Sequence, residues 1–111
     1  MANPNVAAVI SVQDLDAWRR GAAQYRILDV REPHELEICA LDGAITIPMS
    51  QVPDRMADIP ADVPLVVMCH HGGRSQAVVN FLRKAGRANA TNLEGGIDAW
   101  SRHIDKTVPR Y

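Results

Sequence analysis

One cysteine in this sequence is followed by the residue types that can turn a thiol into a nucleophile. Cys69 precedes six residues that would form a loop: His70, His71, Gly72, Gly73, Arg74 and Ser75. Glycines allow positive φ, and a backbone that curls in this way turns successive N–H groups toward a central anion. A thiol with an ordinary pKa is roughly 3% ionised at pH 7, whereas a pKa lowered by about two units makes it about 75% thiolate. Residues 69–75 therefore predict a nucleophilic cysteine in an anion-binding loop.

Arg74 adds a permanent cation to this loop. Its planar guanidinium suits oxyanions such as sulfonate, phosphate or carboxylate. The alternative is a solvated arginine at the start of a helix, with no contact to substrate. For Cys69 the alternative is a small apolar side chain buried at the end of a strand. That alternative gives no reason for the glycine pair and the arginine that follow, so we favour the nucleophile.

The segments on either side of the loop predict the elements that position it. Residues 65–68 are apolar without alternation, which indicates a strand buried on both faces of a parallel sheet. Ser75 is expected to open an amphipathic helix, with Gly86 at its left-handed C-terminal cap. The apolar residues of this helix recur at helical spacing: Ala77, Val78, Phe81, Leu82 and Ala85. Cys69 would then lie at the carboxyl end of a strand, where α/β sheets bind their ligands.

The rest of the chain alternates predicted strands and helices. Further strands are expected at residues 8–10, 27–30, 45–47 and, weakly, 90–93. Ser11 and Asp14 form the sequence of a capping box for a first helix that ends at Gly21. Shorter helical segments are predicted to start at Pro33 and after Ser50, the latter burying Val52, Met56 and Ile59, and a last helix is predicted to bury Ile97, Trp100 and Ile104. Asp29 and Glu32, at the end of the second strand, are predicted to form a salt-bridged structural corner.

Four segments of the chain resemble the rhodanese-like domain family, specifically its single-domain sulfurtransferases. They are ILDVREPHELE at 27–37, DGAITIP at 42–48, VVMCHHGGRS at 66–75 and LEGGIDAW at 93–100. Each is weak alone, but the set is specific and spans most of the chain. The resemblance implies an α/β fold of three layers, with a central, mostly parallel sheet flanked by helices on both faces. We expect it to form a single domain over residues 1–111.

The activity implied by the resemblance is sulfane sulfur transfer of the thiosulfate sulfurtransferase type. Cys69 would attack the outer sulfur of thiosulfate or a related donor, hold it as a persulfide and pass it to a thiophilic acceptor, a double displacement. Residues 70–75 would bind the substrate and stabilise the persulfide through their N–H groups, and Arg74 would hold the donor oxyanion. The resemblance also implies that Arg31 lies near the loop. We count it among the substrate-binding residues and expect its role there to be structural. No cofactor is implied.

Two departures from the family pattern stand out. Cys39, Ala40 and Leu41 replace the usual residues before the second segment, and we interpret Cys39 as an apolar core cysteine rather than a resolving thiol. Residues 87–92 lack the usual aromatic residue and valines, which weakens the predicted strand there but leaves the chemistry unchanged.

Other functions fit the sequence less well. A metal site would draw on Cys69, His70, His71, His34 or Cys39, but none of the paired spacings of zinc sites is present. Cysteine phosphatases and arsenate reductases have a similar loop with one more residue between cysteine and arginine, so this shorter loop is too tight for a phosphoryl group. A persulfide carrier or partner-binding module, fed by another protein of a sulfur relay, remains open.

Composition limits the class of protein and its surroundings. The 111 residues are 47% hydrophobic and 23% charged, typical of one globular domain. A net charge of −1 and 5% aromatic residues give no basic or stacking surface for nucleic acid. No stretch approaches the roughly twenty apolar residues that span a membrane. A signal peptide begins with positively charged residues, and none precedes Arg19, so we expect no signal peptide. Two cysteines without a CxxC pair indicate a reducing, cytoplasmic location.

Overall fold

A computed structural model describes residues 5–111 and contains one parallel sheet of five strands in the order β1-β5-β4-β2-β3. The strands are β1 Val9–Ile10, β2 Arg26–Asp29, β3 Ile45–Thr46, β4 Leu65–Met68 and β5 Ala90–Leu93. The α-helices are α1 Val12–Arg20, α2 Pro33–Ile38, α3 Gly73–Lys84 and α4 Gly96–His103, and two 3₁₀ helices cover Met49–Gln51 and Pro53–Asp58. The predicted α/β fold with a central parallel sheet is confirmed.

Both faces of the sheet are covered, so the molecule has three layers. Val67 of β4 packs in one apolar cluster with Val79 and Leu82 of α3. Val66, which points the other way, packs in a second cluster with residues of α1 and α4, among them Leu15 and Trp100. All four residues of β4 are buried. The apolar run of residues 65–68 thus reflects burial on both faces of a central strand.

Several predicted boundaries are confirmed by the local contacts. Ser11 Oγ accepts the Asp14 N–H at 3.0 Å, and Asp14 Oδ2 accepts the Ser11 N–H at 3.0 Å, which completes the capping box of α1. Gly21 is the C-cap of α1, and Pro33 is the first residue of α2. Gly86 has φ +91° directly after the C-cap of α3, as predicted.

Other boundaries differ from the predictions. Helix α3 begins at Gly73 and not at Ser75. Of the two glycines in the loop, only Gly72 has a positive φ, +108°, and Gly73 is already helical. Ser50 caps no helix: it lies inside the first 3₁₀ helix, which follows Pro48. Phe81 of α3 is 41% exposed because it lies at the edge of the buried face rather than within it.

The weakly predicted strand at residues 90–93 is one of the best-buried elements of the fold. β5 is buried at all four residues and pairs with both β1 and β4. The small and polar residues that weakened the prediction, Thr91 and Asn92, belong to this strand. Within residues 5–111, none of the helices combines the length and the apolar character needed to cross a membrane.

Candidate active site

Cys69 directly follows the central strand β4, and its sulfur lies inside the loop formed by the next six residues. The Gly72 N–H donates to Cys69 Sγ at 3.1 Å and the Ser75 N–H at 3.4 Å. Ser75 Oγ lies 3.3 Å from the same sulfur. The cysteine is only 1% exposed. The loop therefore surrounds the sulfur with N–H groups, as the sequence predicts.

Helix α4 determines which way the peptide groups of the loop face. The carbonyls of Cys69 and His70 accept hydrogen bonds from the N–H groups of Ile97 and Asp98, at 3.0 and 3.1 Å. These N–H groups are free to donate because the first turn of a helix has no internal acceptors for them. Since the carbonyls at the start of the loop point at α4, the N–H groups that follow can point at the sulfur.

Gly96 allows α4 to approach the loop this closely. A Cβ atom on Gly96 would lie 2.5 Å from the carbonyl oxygens of both Cys69 and His70, and its φ is +62°. Only glycine fits such a contact, since it has no Cβ and tolerates positive φ. The LEGGIDAW segment therefore packs against the loop around Cys69, although Gly96 lies 27 residues after that cysteine in the sequence.

The environment of Cys69 favours its thiolate. Burial raises the pKa of the thiol, but hydrogen bonds from the Ser75 hydroxyl and from the N–H groups of Ser75, Gly72 and His71 lower it by more, so the net direction is down. A lowered pKa increases the thiolate fraction at neutral pH. Within residues 5–111, the described hydrogen bonds to this buried sulfur therefore come from uncharged groups.

Asn92 of β5 connects two parts of the loop. Ser75 Oγ donates to Asn92 Oδ1 at 2.5 Å, while Asn92 Nδ2 donates to the Gly72 carbonyl at 3.2 Å and to Gln76 Oε1 at 3.1 Å. Both Ser75 and Asn92 are buried. Sequence analysis gave Asn92 no role. The available signal was an amide side chain in a strand otherwise expected to carry valines.

Arg74 is tied to an acid that sequence analysis also missed. Its Nη1 and Nη2 donate to Glu35 Oε1 and Oε2, at 2.6 and 2.9 Å. The Arg74 guanidinium holds the pKa of the Glu35 carboxyl well below its usual range. The Arg74 side chain remains 36% exposed. The arginine is thus held in one orientation beside the loop, with part of its surface open to solvent.

Arg31 is fully buried behind this pair. Its guanidinium contacts Asp29 at 2.7 to 3.1 Å and donates to the Cys39 carbonyl at 2.8 Å and to Tyr111 Oη at 3.0 Å. Asp29 is also fully buried. The structure therefore gives Arg31 a structural role as the ion-pair partner of Asp29, and none of its described hydrogen bonds reaches Cys69. For Glu32 the predicted salt bridge is wrong: Glu32 is exposed, its carboxylate has no ion pair among the described residues, and its N–H donates to Glu35 Oε1 at 3.1 Å.

Tyr111 contacts the loop from the far end of the chain. Its ring stacks on that of His70 with centroids 3.7 Å apart, and its hydroxyl donates to Glu35 Oε2 at 2.7 Å. Burial and the bond to Glu35 raise the pKa of Tyr111 to about 12. Nothing in the polar segment near residue 111 predicts this contact. Tyr111 links His70, Glu35 and Arg31 at one edge of the site.

His70 and His71 lie at the rim of the loop. Burial lowers the pKa of His70, as does the neighbouring His71, and both effects favour the neutral imidazole. The His71 side chain is 67% exposed, and its Nε2 is 3.9 Å from Asp98 Oδ2. Ligand atoms of His70, His71 and Asp98 lie within 4.8 Å of one another. The two imidazole rings lie against each other, however, with centroids 3.8 Å apart and planes tilted by 33°. Asp98 is also paired with Arg110, so the cluster is poorly arranged for one ion.

The sequence of this chain is similar to those of known proteins. The model of the rhodanese-like domain family matches residues 11–103. A sulfurtransferase of Allochromatium vinosum is 38% identical over 77 residues, 69% of this chain and 72% of that protein. The probable adenylyltransferase/sulfurtransferase MoeZ of Mycobacterium tuberculosis is 32% identical over 106 residues, 94% of this chain but 27% of that protein. The chain spans less than a third of the length of several such relatives.

A solved structure shows the same fold. The crystal structure of a rhodanese-related protein from Thermoplasma volcanium superimposes with a TM-score of 0.79 at 35% identity, covering 88% of this chain and 94% of that one. Residues 11–103, which the family model matches, include the whole loop around Cys69 and the helix α4 that packs against it. This chain belongs to the rhodanese-like domain family.

Proposed function

We propose that this protein transfers sulfane sulfur from thiosulfate or a related donor to a thiophilic acceptor, with Cys69 as the nucleophile. The observation that carries the proposal is the set of N–H groups directed at one buried sulfur: Gly72 and Ser75 donate to Cys69 Sγ at 3.1 and 3.4 Å. Such groups stabilise negative charge on sulfur throughout the reaction. A structural cysteine would not need them.

The reaction proceeds in two displacements at sulfur. The Cys69 thiolate attacks the outer sulfur of thiosulfate, a new S–S bond forms, and sulfite leaves with the electron pair of the old S–S bond. An acceptor thiolate, or cyanide in the test tube, then attacks the outer sulfur of the persulfide, and Cys69 leaves as a thiolate. No oxidant or cofactor takes part, because each bond that breaks is replaced by one that forms.

The loop size supports sulfur as the transferred group. Four residues separate Cys69 from Arg74. A loop with so few residues forms a small ring of N–H groups, which suits one further sulfur atom better than a tetrahedral phosphoryl centre. We therefore expect no Cys69-dependent hydrolysis of aryl phosphates.

Arg74 is proposed to bind the oxyanion of the donor with its exposed surface. Glu35 occupies Nη1 and Nη2 on one side, and this fixes the guanidinium beside the loop. The rest of the predicted substrate-binding set lies in the loop itself, His70 and His71 at its rim and Gly73 at the start of α3. Arg31 is fully buried, so we propose that it does not contact the substrate and only supports Glu35, the partner of Arg74, through Tyr111.

A second candidate function is that of a persulfide carrier fed by a partner protein, with little turnover of small donors. The match over 94% of this chain to part of MoeZ, a larger protein named both adenylyltransferase and sulfurtransferase, favours it. Carrier and enzyme share the Cys69 persulfide and differ in the donor and acceptor. For either, the partners are sulfur compounds or sulfur-relay proteins rather than nucleic acid, and a reducing compartment such as the cytoplasm suits a free thiol.

The deciding experiment measures the intact mass of the reduced protein after incubation with thiosulfate. One added sulfur is expected on the wild type and on Cys39→Ser, and none on Cys69→Ser. Because Cys→Ser changes one atom, both variants should still fold, and circular dichroism checks that they do. Loading of Cys69→Ser would contradict the proposal by implicating Cys39. Absence of loading on the wild type would reject thiosulfate as donor and favour the partner-fed carrier.

A further inference from the structure

The hydroxyl group of Ser75 has two acceptors and only one hydrogen. Ser75 Oγ lies 3.3 Å from Cys69 Sγ and 2.5 Å from Asn92 Oδ1. A serine hydroxyl donates one hydrogen bond at a time. The hydroxyl hydrogen therefore points either at Cys69 Sγ or at Asn92 Oδ1, and the relative strength of these two acceptors decides which.

The orientation of the Asn92 amide is fixed by its other contacts. Its Nδ2 donates to the Gly72 carbonyl at 3.2 Å, and a carbonyl oxygen can only accept. Gln76 Oε1 accepts a second hydrogen bond from Nδ2 at 3.1 Å. Because the nitrogen must face Gly72, the oxygen must face Ser75. Asn92 Oδ1 is thus an acceptor that only the Ser75 hydroxyl serves among its described contacts.

We propose that Asn92 is a positioning residue for Cys69: it draws the Ser75 hydroxyl hydrogen away from the sulfur whenever the sulfur is uncharged, and yields it when the thiolate forms. In the thiol state, the Cys69 S–H donates to Ser75 Oγ, which donates to Asn92 Oδ1. In the thiolate state, the hydroxyl rotates and donates to the sulfur, and Asn92 Oδ1 loses its donor. In the persulfide the negative charge lies on the outer sulfur, so the hydroxyl returns to Asn92.

For the reaction, this means that the Cys69 thiolate forms readily but is not stabilised so strongly that it loses nucleophilicity. The N–H groups of Gly72 and Ser75 donate to Sγ in every state, whereas the Ser75 hydroxyl does so only at the expense of Asn92. A thiolate that is stabilised further becomes a weaker nucleophile. Asn92 therefore limits the stabilisation and favours release of the hydroxyl once sulfur has been loaded.

This inference rests on the proposed function in one respect, the role of Cys69 as nucleophile, but its test needs no sulfur donor. The rate of Cys69 alkylation by iodoacetamide is measured against pH in the full chain with Cys39→Ser, so that only one thiol reacts. The midpoint of this profile is the thiol pKa. It is compared in four proteins: the Cys39→Ser background itself, Ser75→Ala, Asn92→Ala and the double variant.

The expected result is a pair of opposite shifts. Ser75→Ala raises the midpoint because a donor to the thiolate is lost. Asn92→Ala lowers it by about half a unit to one unit, a threefold to tenfold larger thiolate fraction below the midpoint, because the hydroxyl then serves the sulfur alone. In the Ser75→Ala background, Asn92→Ala no longer lowers the midpoint, since it acts through Ser75.

The charged and titratable groups around the loop are the same in all four proteins. They are Arg74 and Glu35 on one side, His70 and Tyr111 at the rim, and His71 and Asp98 next to α4. A difference in midpoint among the four proteins therefore reports on Ser75 and Asn92. Asn89→Ala is the matched control, because Asn89 donates two hydrogen bonds from Nδ2 to the carbonyls of Pro60 and Val63 at the other end of β5. It should leave the midpoint unchanged.

A merely structural Asn92 predicts a different pattern. Loss of the bond to Gly72 alone would loosen the loop and raise the midpoint equally with and without Ser75, and that result would overturn the proposal. Should Asn92→Ala fail to fold, Asn92→Leu replaces it, because leucine also lacks an acceptor but fills the space of the asparagine side chain. It should lower the midpoint in the presence of Ser75 and leave it unchanged in Ser75→Ala, and a midpoint raised equally in both would refute the inference. Failure of sulfur loading affects neither outcome.

Discussion

β2 and β4 are neighbouring parallel strands that end side by side, and each ends at a side chain that can carry negative charge. Asp29 closes β2, and Cys69 follows β4. The Asp29 carboxylate is paired with the guanidinium of Arg31, and both are fully buried. The described contacts of Cys69 Sγ come instead from uncharged N–H and hydroxyl groups. At the same edge of the sheet, the Asp29 carboxylate is thus neutralised by a cation, whereas the Cys69 sulfur is surrounded by uncharged hydrogen-bond donors.

The difference explains which of the two groups can react. A buried ion pair stabilises its own charges so strongly that either partner alone is costly, and the pair stays as it is. Dipoles that surround a sulfur tolerate thiol, thiolate and persulfide, because none of these states leaves a cation unpaired. The comparison predicts that changes at the end of β2 reduce stability, whereas changes around the end of β4 reduce activity.

Asp29→Asn should have the largest effect, and it should be an effect on stability. It leaves the Arg31 guanidinium buried without a counter-charge, at a cost of about 3–5 kcal/mol. Urea denaturation followed by circular dichroism measures the loss. Asp16→Asn on the exposed side of α1, where the acid pairs with Arg19 and Arg20, is the control and should barely move the urea midpoint. Equal shifts for the two variants would mean that burial of the Asp29 pair is unimportant.

Gly96→Ala should come next and should act mainly on activity. The new Cβ would meet the carbonyl oxygens of Cys69 and His70 at 2.5 Å, so the loop must shift. A displacement of about 1 Å in an active site can cost on the order of 100-fold in rate. We expect such a loss in kcat/KM for sulfur transfer.

Gly43→Ala separates this effect from backbone strain. Gly43 also has positive φ, +79°, but a Cβ there meets nothing within 4 Å. Both substitutions place alanine in the left-handed region, so both should reduce stability. Only Gly96→Ala should impair sulfur transfer by the folded protein, and a comparable loss in Gly43→Ala would show that the loop contact is not the cause.

Arg74→Ala should have a smaller effect, on the donor alone. Loss of a charged hydrogen-bond partner for the donor oxyanion corresponds to roughly a tenfold rise in KM for thiosulfate. Steady-state kinetics with varied donor and acceptor measures it. An unchanged donor KM would assign Arg74 to the structural network of Glu35 and Arg31, on the β2 side of the comparison.

The pH dependence of stability should show the smallest effect. The pKa of Glu35 is lowered in the folded state, so its stabilisation is complete above about pH 4.3, where a glutamate of the unfolded chain titrates. It declines below that pH and is lost as the pH falls through the lowered folded value. Glu35→Gln should therefore destabilise the protein near pH 7 and progressively less in acid. A difference from wild type that grows in acid would contradict this sign.

The sequence was sufficient to predict the elements whose signals are local. The capping box of Ser11, the apolar run at residues 65–68 and the position of Cys69 follow from spacing alone and are confirmed. The four resembling segments predicted the fold class correctly. The predicted start of α3 at Ser75 was wrong because a tertiary contact decides it, the packing of Gly72 against the end of β5 and the start of α4. The predicted cap at Ser50 was wrong because the 3₁₀ helix already begins at Met49, directly after Pro48.

The partners of the loop could not be predicted because they come from distant parts of the chain. Glu35 lies 39 residues before Arg74, and Asn92 lies 17 after Ser75. Asn92 also misled the prediction, since an amide in a strand weakens the strand signal while its side chain serves the neighbouring loop. Tyr111 lies in a polar segment without periodicity, and no local pattern connects it with His70.

The sulfur of Cys69 is held largely by main-chain N–H groups, and this has a consequence for how the protein can change over generations. Substitution of a side chain does not remove a main-chain N–H group, so His70 and His71 can be replaced while the Gly72 and Ser75 N–H groups still hold the sulfur. The side chains at the rim are therefore free to vary with the acceptor. In the proposed function, the main-chain N–H groups of the loop serve the chemistry and its side chains serve recognition, so the side chains can change while the N–H groups remain.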